Sequence, residues 1–109
     1  MIDINDFAKI EIRVGTIISA SKLKEAKKPA YKLEIDFGEL GTRKSSAQIT
    51  KLYSEYELID KQIVAVTNFN PKKIVGFTSE VLVLGVDNKD QVVELLVLDQ
   101  QLPNGAKVS

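Results

Sequence analysis

Alternating apolar runs, a mid-chain helical stretch and frequent turn residues predict an all-β domain: a five-stranded Greek-key barrel with a short helix between strands three and four. Two observations favour closure. About six strand segments crowd into 109 residues, and an open sheet would leave their edges exposed. The first strand is long and holds Gly15 at its centre, where a strand serving both sides of a barrel must bulge or bend. This is the OB architecture. A small open α+β sheet with one helix is its rival.

The elements follow in order. "IEIRVGTIISA" (10–20) alternates, placing Ile10, Ile12, Val14, Thr16, Ile18 and Ala20 on the expected inner face. "KLKEAKKPA" is a polar connection in which Pro29 stops any helix. "YKLEIDF" (31–37) points Tyr31, Leu33, Ile35 and Phe37 inward. Two glycines in "GELGT" turn the chain into a short strand around 42–46. "AQITKLYSEY" (47–56) reads as the helix, with Ile49, Leu52 and Tyr53 on one side. "KQIVAVTNF" (61–69) reads as a buried strand, and "NPKK" as a turn. "EVLVLGV" (80–86) and "QVVELLVLD" (91–99) form an expected antiparallel pair across "DNKD". "LPNGAKV" carries a final turn. Residues 1–109 read as one domain without repeats or linkers.

Composition narrows the chemistry. The chain has no cysteine and no histidine, so disulfides, the usual zinc ligands and Ser-His-Asp or Cys-His nucleophiles are unavailable. No EF-hand spacing, Walker loop or Gly-x-Gly-x-x-Gly occurs. A non-enzymatic protein with no catalytic residue, cofactor or metal is expected. The start lacks signal-peptide character and no run approaches a membrane span, so a cytoplasmic chain without membrane insertion is expected. Net charge is zero but uneven: residues 22–51 carry eight Lys or Arg against four acids, and residues 76–109 two against five. A dedicated nucleic-acid binder would show a stronger cationic excess.

"RKSSAQIT" (43–50) concentrates polar groups where the helix is expected to start. Ser45 and Gln48 have the Ser-x-x-Gln spacing of a capping box. Arg43 and Lys44 precede that helix N-terminus, a combination that attracts anions. Arg13 and Lys32 point away from the core pattern and could line an outer face; singly, each suits a solvated surface. Asn68 suits a turn or a polar contact, and Lys72 and Lys73 are loop cations unless they border the same groove. Phe69 and Phe77 suit core packing at a barrel end.

"DFAKIEIRVGTIISA", "KKPAYKLEIDFG", "KSSAQIT", "VAVTNFNPKKIVGFTSEVLVLG" and "LPNG" together resemble the CsaA family of protein-secretion chaperones, from about Asp6 to Gly105. That family is similar to the tRNA-binding domain of methionyl-tRNA synthetases and related proteins. The resemblance implies an OB fold with terminal extensions for dimerisation. It implies binding of unfolded or pre-secretory polypeptides, with export machinery as a further partner. Relatives in the tRNA-binding branch read Ser-x-Gly-Met where this chain reads Ser79-Glu80-Val81-Leu82. Ser79 matches, whereas Val81 and Leu82 depart, which leaves weak tRNA binding as the alternative. The apolar residues of "MIDINDF" and "VLDQQLPNGAKVS" fit a homodimer. The expected groove comprises Arg13, Lys32, Arg43, Ser45, Ser46, Gln48, Asn68, Phe69, Lys72, Lys73, Ser79, Glu80 and Leu82. There an extended peptide would set apolar side chains into pockets while polar groups meet its backbone.

Overall fold

A computed structural model describes residues 1–24, 27–74, 76–90 and 92–109. Residues 25–26 of the expected polar connection and Gln91 of the expected last strand lie outside the described residues. The order is α1 (Ile4–Ala8), β1 (Ile12–Lys22), β2 (Tyr31–Asp36), a 3-10 turn (Gly38–Leu40), β3 (Thr42–Ala47), α2 (Glu55–Leu58) and β4 (Gln62–Val66). Short strands follow: β5 (Lys72–Ile74), β6 (Phe77–Ser79), β7 (Leu82–Val83), β8 (Gly85–Asp87) and β9 (Val93–Leu95). The main sheet runs β3-β2-β1-β4-β7, and its pairs are antiparallel.

The two ends of that sheet meet. Lys44 O accepts from the amides of Glu80 (2.7 Å) and Val81 (3.3 Å), so β3 joins the segment leading into β7. The result is the nearly closed five-stranded OB barrel, with α2 between β3 and β4. Pairs β5–β6 and β8–β9 stand outside it as two-stranded ribbons. The expected 80–86 with 91–99 pairing survives as β8 with β9 and the bond from Leu96 N to Leu84 O, because β7 is recruited by β4 instead.

The long first strand serves two neighbours. Ile12–Thr16 pairs with β4 and Thr16–Lys22 with β2, with a register shift between Ile17 and Ser19. That extra residue changes the inner face. Ile17 is fully buried and Ile18 is 45% exposed, the reverse of the expected phase, while Ala20 returns to the core side after the shift. Val14 and Val64 are buried opposite one another on the sheet's other face, outside the main cluster. Ile10 is 38% exposed and stands outside the core. Gly15 serves close packing: a Cβ there would meet Ile35 Cγ2 at 2.6 Å and Phe37 Cε1 at 2.7 Å.

The core follows β2 as expected, with Tyr31, Leu33, Ile35 and Phe37 all buried. Ile49, Leu58, Ile63, Ala65, Val81 and Leu95 complete it. The helix is corrected. Residues 45–47 belong to β3, and the capping box is Ser54 with Glu57: Glu57 N donates to Ser54 Oγ at 3.2 Å, and Ser54 N to Glu57 Oε1 at 2.9 Å. Ser45 and Gln48 therefore cap nothing, and Arg43 and Lys44 precede no helix. Pairing with β2 as far as Tyr31↔Ala47 holds this segment extended.

The C-terminal tail straps the barrel. Gly105 N and Val108 N donate to Val14 O (2.7 Å) and Ile12 O (2.8 Å), and Val14 N returns a bond to Ala106 O. Gln62, on β4, holds the tail backbone from the side: Nε2 donates to Leu102 O (2.6 Å) and Leu102 N donates to Oε1 (3.1 Å). Asn104 Oδ1 accepts from Thr16 Oγ1 and Gln62 Nε2, closing a small polar cluster.

Candidate binding groove

Beside the seam lies a concavity of about 440 Å³ lined by Phe69, Asn70, Lys72, Ser79, Glu80, Val81 and Leu82. It exists because β4 ends at Val66, the chain leaves through 67–71, and β6 returns it to the barrel wall. Phe69 and Leu82 are about half exposed, so two large apolar side chains face solvent across the opening. Lys72 supplies a cation at the rim, and Val81 forms a buried floor.

Ser79 and Glu80 of the polar lining are already engaged. Glu80 Oε1 accepts from Lys44 N at 3.0 Å, and Ser79 Oγ accepts from Ser46 N at 3.3 Å. Ser45, fully buried beneath them, donates to Val81 O at 2.8 Å. These side chains stand in for ladder bonds where β3 and the 79–81 segment do not pair regularly. Chemically, what the groove offers an incoming chain is apolar surface, one lysine and the Asn70 amide.

Of the thirteen expected groove residues, the structure therefore gathers Phe69, Lys72, Ser79, Glu80 and Leu82 into one concavity, with Ser45 and Ser46 behind it. Others sit elsewhere. Arg13 does not face outward to the groove: Nη1 donates to Gly105 O and Nη2 to Glu11 Oε1 at 2.7 Å, clamping the tail. The same bond from Arg13 holds the Glu11 carboxyl below its ordinary range. Asn68 fastens the N-terminal segment, accepting from Glu11 N and donating to Lys9 O. Arg43 turns back to Leu40 O, and Lys32 projects from β2 opposite Ser46. Lys73 lines a separate hollow beside Gly76 and Phe77.

Gln48 borders a different depression, with Lys28, Pro29, Thr50 and Lys51. A larger hollow adjoins it, lined in part by Lys22, Lys24 and Lys27. None of these lysines was among the expected groove residues. The cationic density of 22–51 was the signal that pointed to them.

Barrel and concavities together define an OB-type domain with several external concavities. Residues 12–107 match the family model described as a putative tRNA binding domain. The crystal structure of chaperone CsaA from Bacillus anthracis str. Ames is 53% identical, with a TM-score of 0.95 over 100% of this chain and 99% of that one. The CsaA chaperone protein from Picrophilus torridus is 55% identical, with a TM-score of 0.93 over 100% of both chains. The methionine–tRNA ligase of Methanosarcina mazei is 32% identical over 108 residues, 99% of this chain but 15% of the ligase. The chain thus spans about 15% of the length of the ligases it matches. It belongs to the tRNA-binding-domain family, in the CsaA group.

Proposed function

We propose that this chain is a chaperone that acts by binding alone, holding unfolded or pre-secretory polypeptides in the groove between Phe69 and Leu82. The observation that carries the reading is that groove: two half-exposed apolar side chains flank a buried Val81 floor, a fit for the apolar side chain of an extended segment. Similarity to two CsaA chaperones over the whole chain supports it. The reading places the protein in the cytoplasm, handing clients to export machinery. It makes no membrane insertion of its own, and among the described residues no helix is long and apolar enough to cross a membrane.

The functional unit in this proposal is a homodimer. Met1, Ile2 and Ile4 near one terminus and Val97 and Leu102 near the other are exposed apolar side chains that a second copy would cover. Sedimentation that finds only monomer at micromolar concentration contradicts it.

Light scattering of a chemically denatured client, diluted into excess chain, tests the chaperone reading. Scattering should fall with added protein; unchanged scattering rejects the proposal.

A second reading, binding of tRNA, is favoured by the family match across residues 12–107. It requires a complex with tRNA that weakens steeply as salt rises. Absence of any complex at low salt rejects it.

A further inference from the structure

We infer that Asn104–Gly105 is a site of spontaneous covalent modification: the tail strap holds it unreactive, and its conversion to isoaspartate unlatches the strap. The chain contains one asparagine followed by glycine, and the pair lies within the strap. Such a pair is labile because glycine, lacking Cβ, leaves its backbone nitrogen open to approach the preceding side-chain amide.

The fold requires both residues. Gly105 has φ +91°, and a Cβ there would meet Phe37 O at 2.6 Å. Asn104 Oδ1 accepts from Thr16 Oγ1 at 2.7 Å and from Gln62 Nε2 at 3.1 Å. The Gln62 amide cannot turn over, because Nε2 and Oε1 are committed to Leu102 O and Leu102 N. A fixed donor at Gln62 demands an acceptor at Asn104. The same contacts hold the reacting atoms in place. Gly105 N donates to Val14 O at 2.7 Å, and Gly105 O accepts from Arg13 Nη1 at 3.1 Å. Asn104 O lies against Gly38, where an added Cβ would stand 2.5 Å from it. The nucleophile is thus tied to β1, and the electrophile to β1 and β4. The peptide between them is pressed on the turn after β2.

Ring closure needs Gly105 N to give its proton to water and swing onto Asn104 Cγ, which breaks the bond to Val14 O. The reaction therefore waits for local opening of the strap. In the opened strap the N–Cγ bond forms, the Cγ–Nδ2 bond breaks and ammonia leaves, giving a cyclic succinimide. Water then opens the ring. Cleavage of the N–Cγ bond gives aspartate, and cleavage of the bond from N to the Asn104 backbone carbonyl carbon gives isoaspartate. Isoaspartate routes the main chain through the side chain and so adds a methylene ahead of Gly105. Gly105 N and Val108 N then fall out of step with Val14 O and Ile12 O, and the strap cannot re-form.

The full chain is incubated at mildly alkaline pH, and peptide mapping by mass spectrometry follows conversion at position 104, with isoaspartate-specific methyl transfer separating the two products. The folded parent, the parent in urea and folded Gln62→Leu are compared. Conversion should be fastest in urea and slowest in the folded parent, with Gln62→Leu roughly tenfold or more above the folded parent. Thr16→Val, which removes the other bond to Oδ1 at nearly the same bulk, takes its place if melting shows Gln62→Leu unfolded. Chains carrying isoaspartate should exchange amide hydrogens faster at Gly105 and Val108, while β2 amides keep their rates. Asn104→Gln, whose longer side chain closes no five-membered ring, should age without that change. Conversion as fast in the folded parent as in urea, or no faster in the loosened variant, overturns the protection by the strap. Unchanged exchange in the isoaspartate fraction overturns the unlatching, and absence of conversion in urea overturns the site itself.

Discussion

The hydroxyl of Ser45 donates to the carbonyl of Val81 at 2.8 Å, both residues lying inside the barrel wall at the point where β3 meets the segment entering β7. The same two stretches exchange the amide bonds to Lys44 O and the bond from Lys44 N to Glu80. The seam beneath the groove is therefore closed largely by side chains. Ser45→Ala leaves the Val81 carbonyl with only the long 3.5 Å bond from Ser79 Oγ, and a loss of about 1–3 kcal/mol is expected. Chemical denaturation of the variant measures it, and an unchanged midpoint would show that the seam does not depend on this hydroxyl.

Gly15 sits where β1 crosses Ile35 and Phe37 with no room for a methyl group. Gly15→Ala forces both of those buried side chains to shift, at a cost of about 1–3 kcal/mol. Thermal melting should show the loss. A variant as stable as the parent would mean the core yields there more easily than its packing indicates.

Gln62 grips both backbone groups of Leu102, and Asn104 joins the same cluster. Gln62→Leu preserves bulk but abandons the tail. Hydrogen exchange at Gly105 and Val108, whose amides bond to Val14 and Ile12, should then accelerate ahead of the barrel amides. Uniform exchange across tail and barrel would contradict a strap that can loosen by itself.

Acid should loosen α2. The bonds from Ser54 backbone and hydroxyl hold the Glu57 carboxyl below its ordinary range. A carboxylate whose folded pKa is depressed contributes stability that is full above its unfolded value, about 4.3, and is lost as pH falls through the folded value. Glu57→Gln removes that titration, so the gap in stability between parent and variant should narrow as pH drops below about 4. A gap that is constant between pH 7 and pH 3 would contradict it.

Tyr31 behaves oppositely. Burial in the barrel, with smaller contributions from Glu55 and Glu57, raises its phenol above the ordinary value. A raised pKa means the folded state favours the neutral phenol: stability is complete below about pH 10 and declines as pH climbs through the folded value. Its hydroxyl also donates to Tyr53 O at 2.8 Å. In Tyr31→Phe the alkaline decline should be shallower, which a denaturation series from pH 8 to pH 11 would reveal.

Much of this architecture is legible in local pattern. Tyr31, Leu33, Ile35 and Phe37 alternate without interruption, and each is buried as the alternation requires. The first strand is legible as a strand but not in phase, because the register shift beside Ile18 exchanges faces and no residue type announces it. The helix is misplaced for a related reason. Ser45-x-x-Gln48 and Ser54-x-x-Glu57 carry the same local signature, and only the long-range pairing of β3 with β2 decides between them. The groove is half legible. Phe69 and the Ser79–Leu82 segment could be joined through the family pattern, whereas Arg13 and Asn68 are diverted to the chain ends by partners distant in sequence. The lysines around the hollow between the loop after β1 and the stretch after β3 were visible only as a composition bias, since those two stretches come together through the barrel.

The most direct measurement is a binding titration of a labelled, permanently unfolded polypeptide against the parent chain and Leu82→Asp, whose half-exposed position should tolerate the change. A carboxylate placed opposite Phe69 makes the groove costly for an apolar side chain, and affinity should drop roughly tenfold or more with the melting point preserved. Equal affinity for both proteins, with the variant folded, would contradict polypeptide binding at this groove.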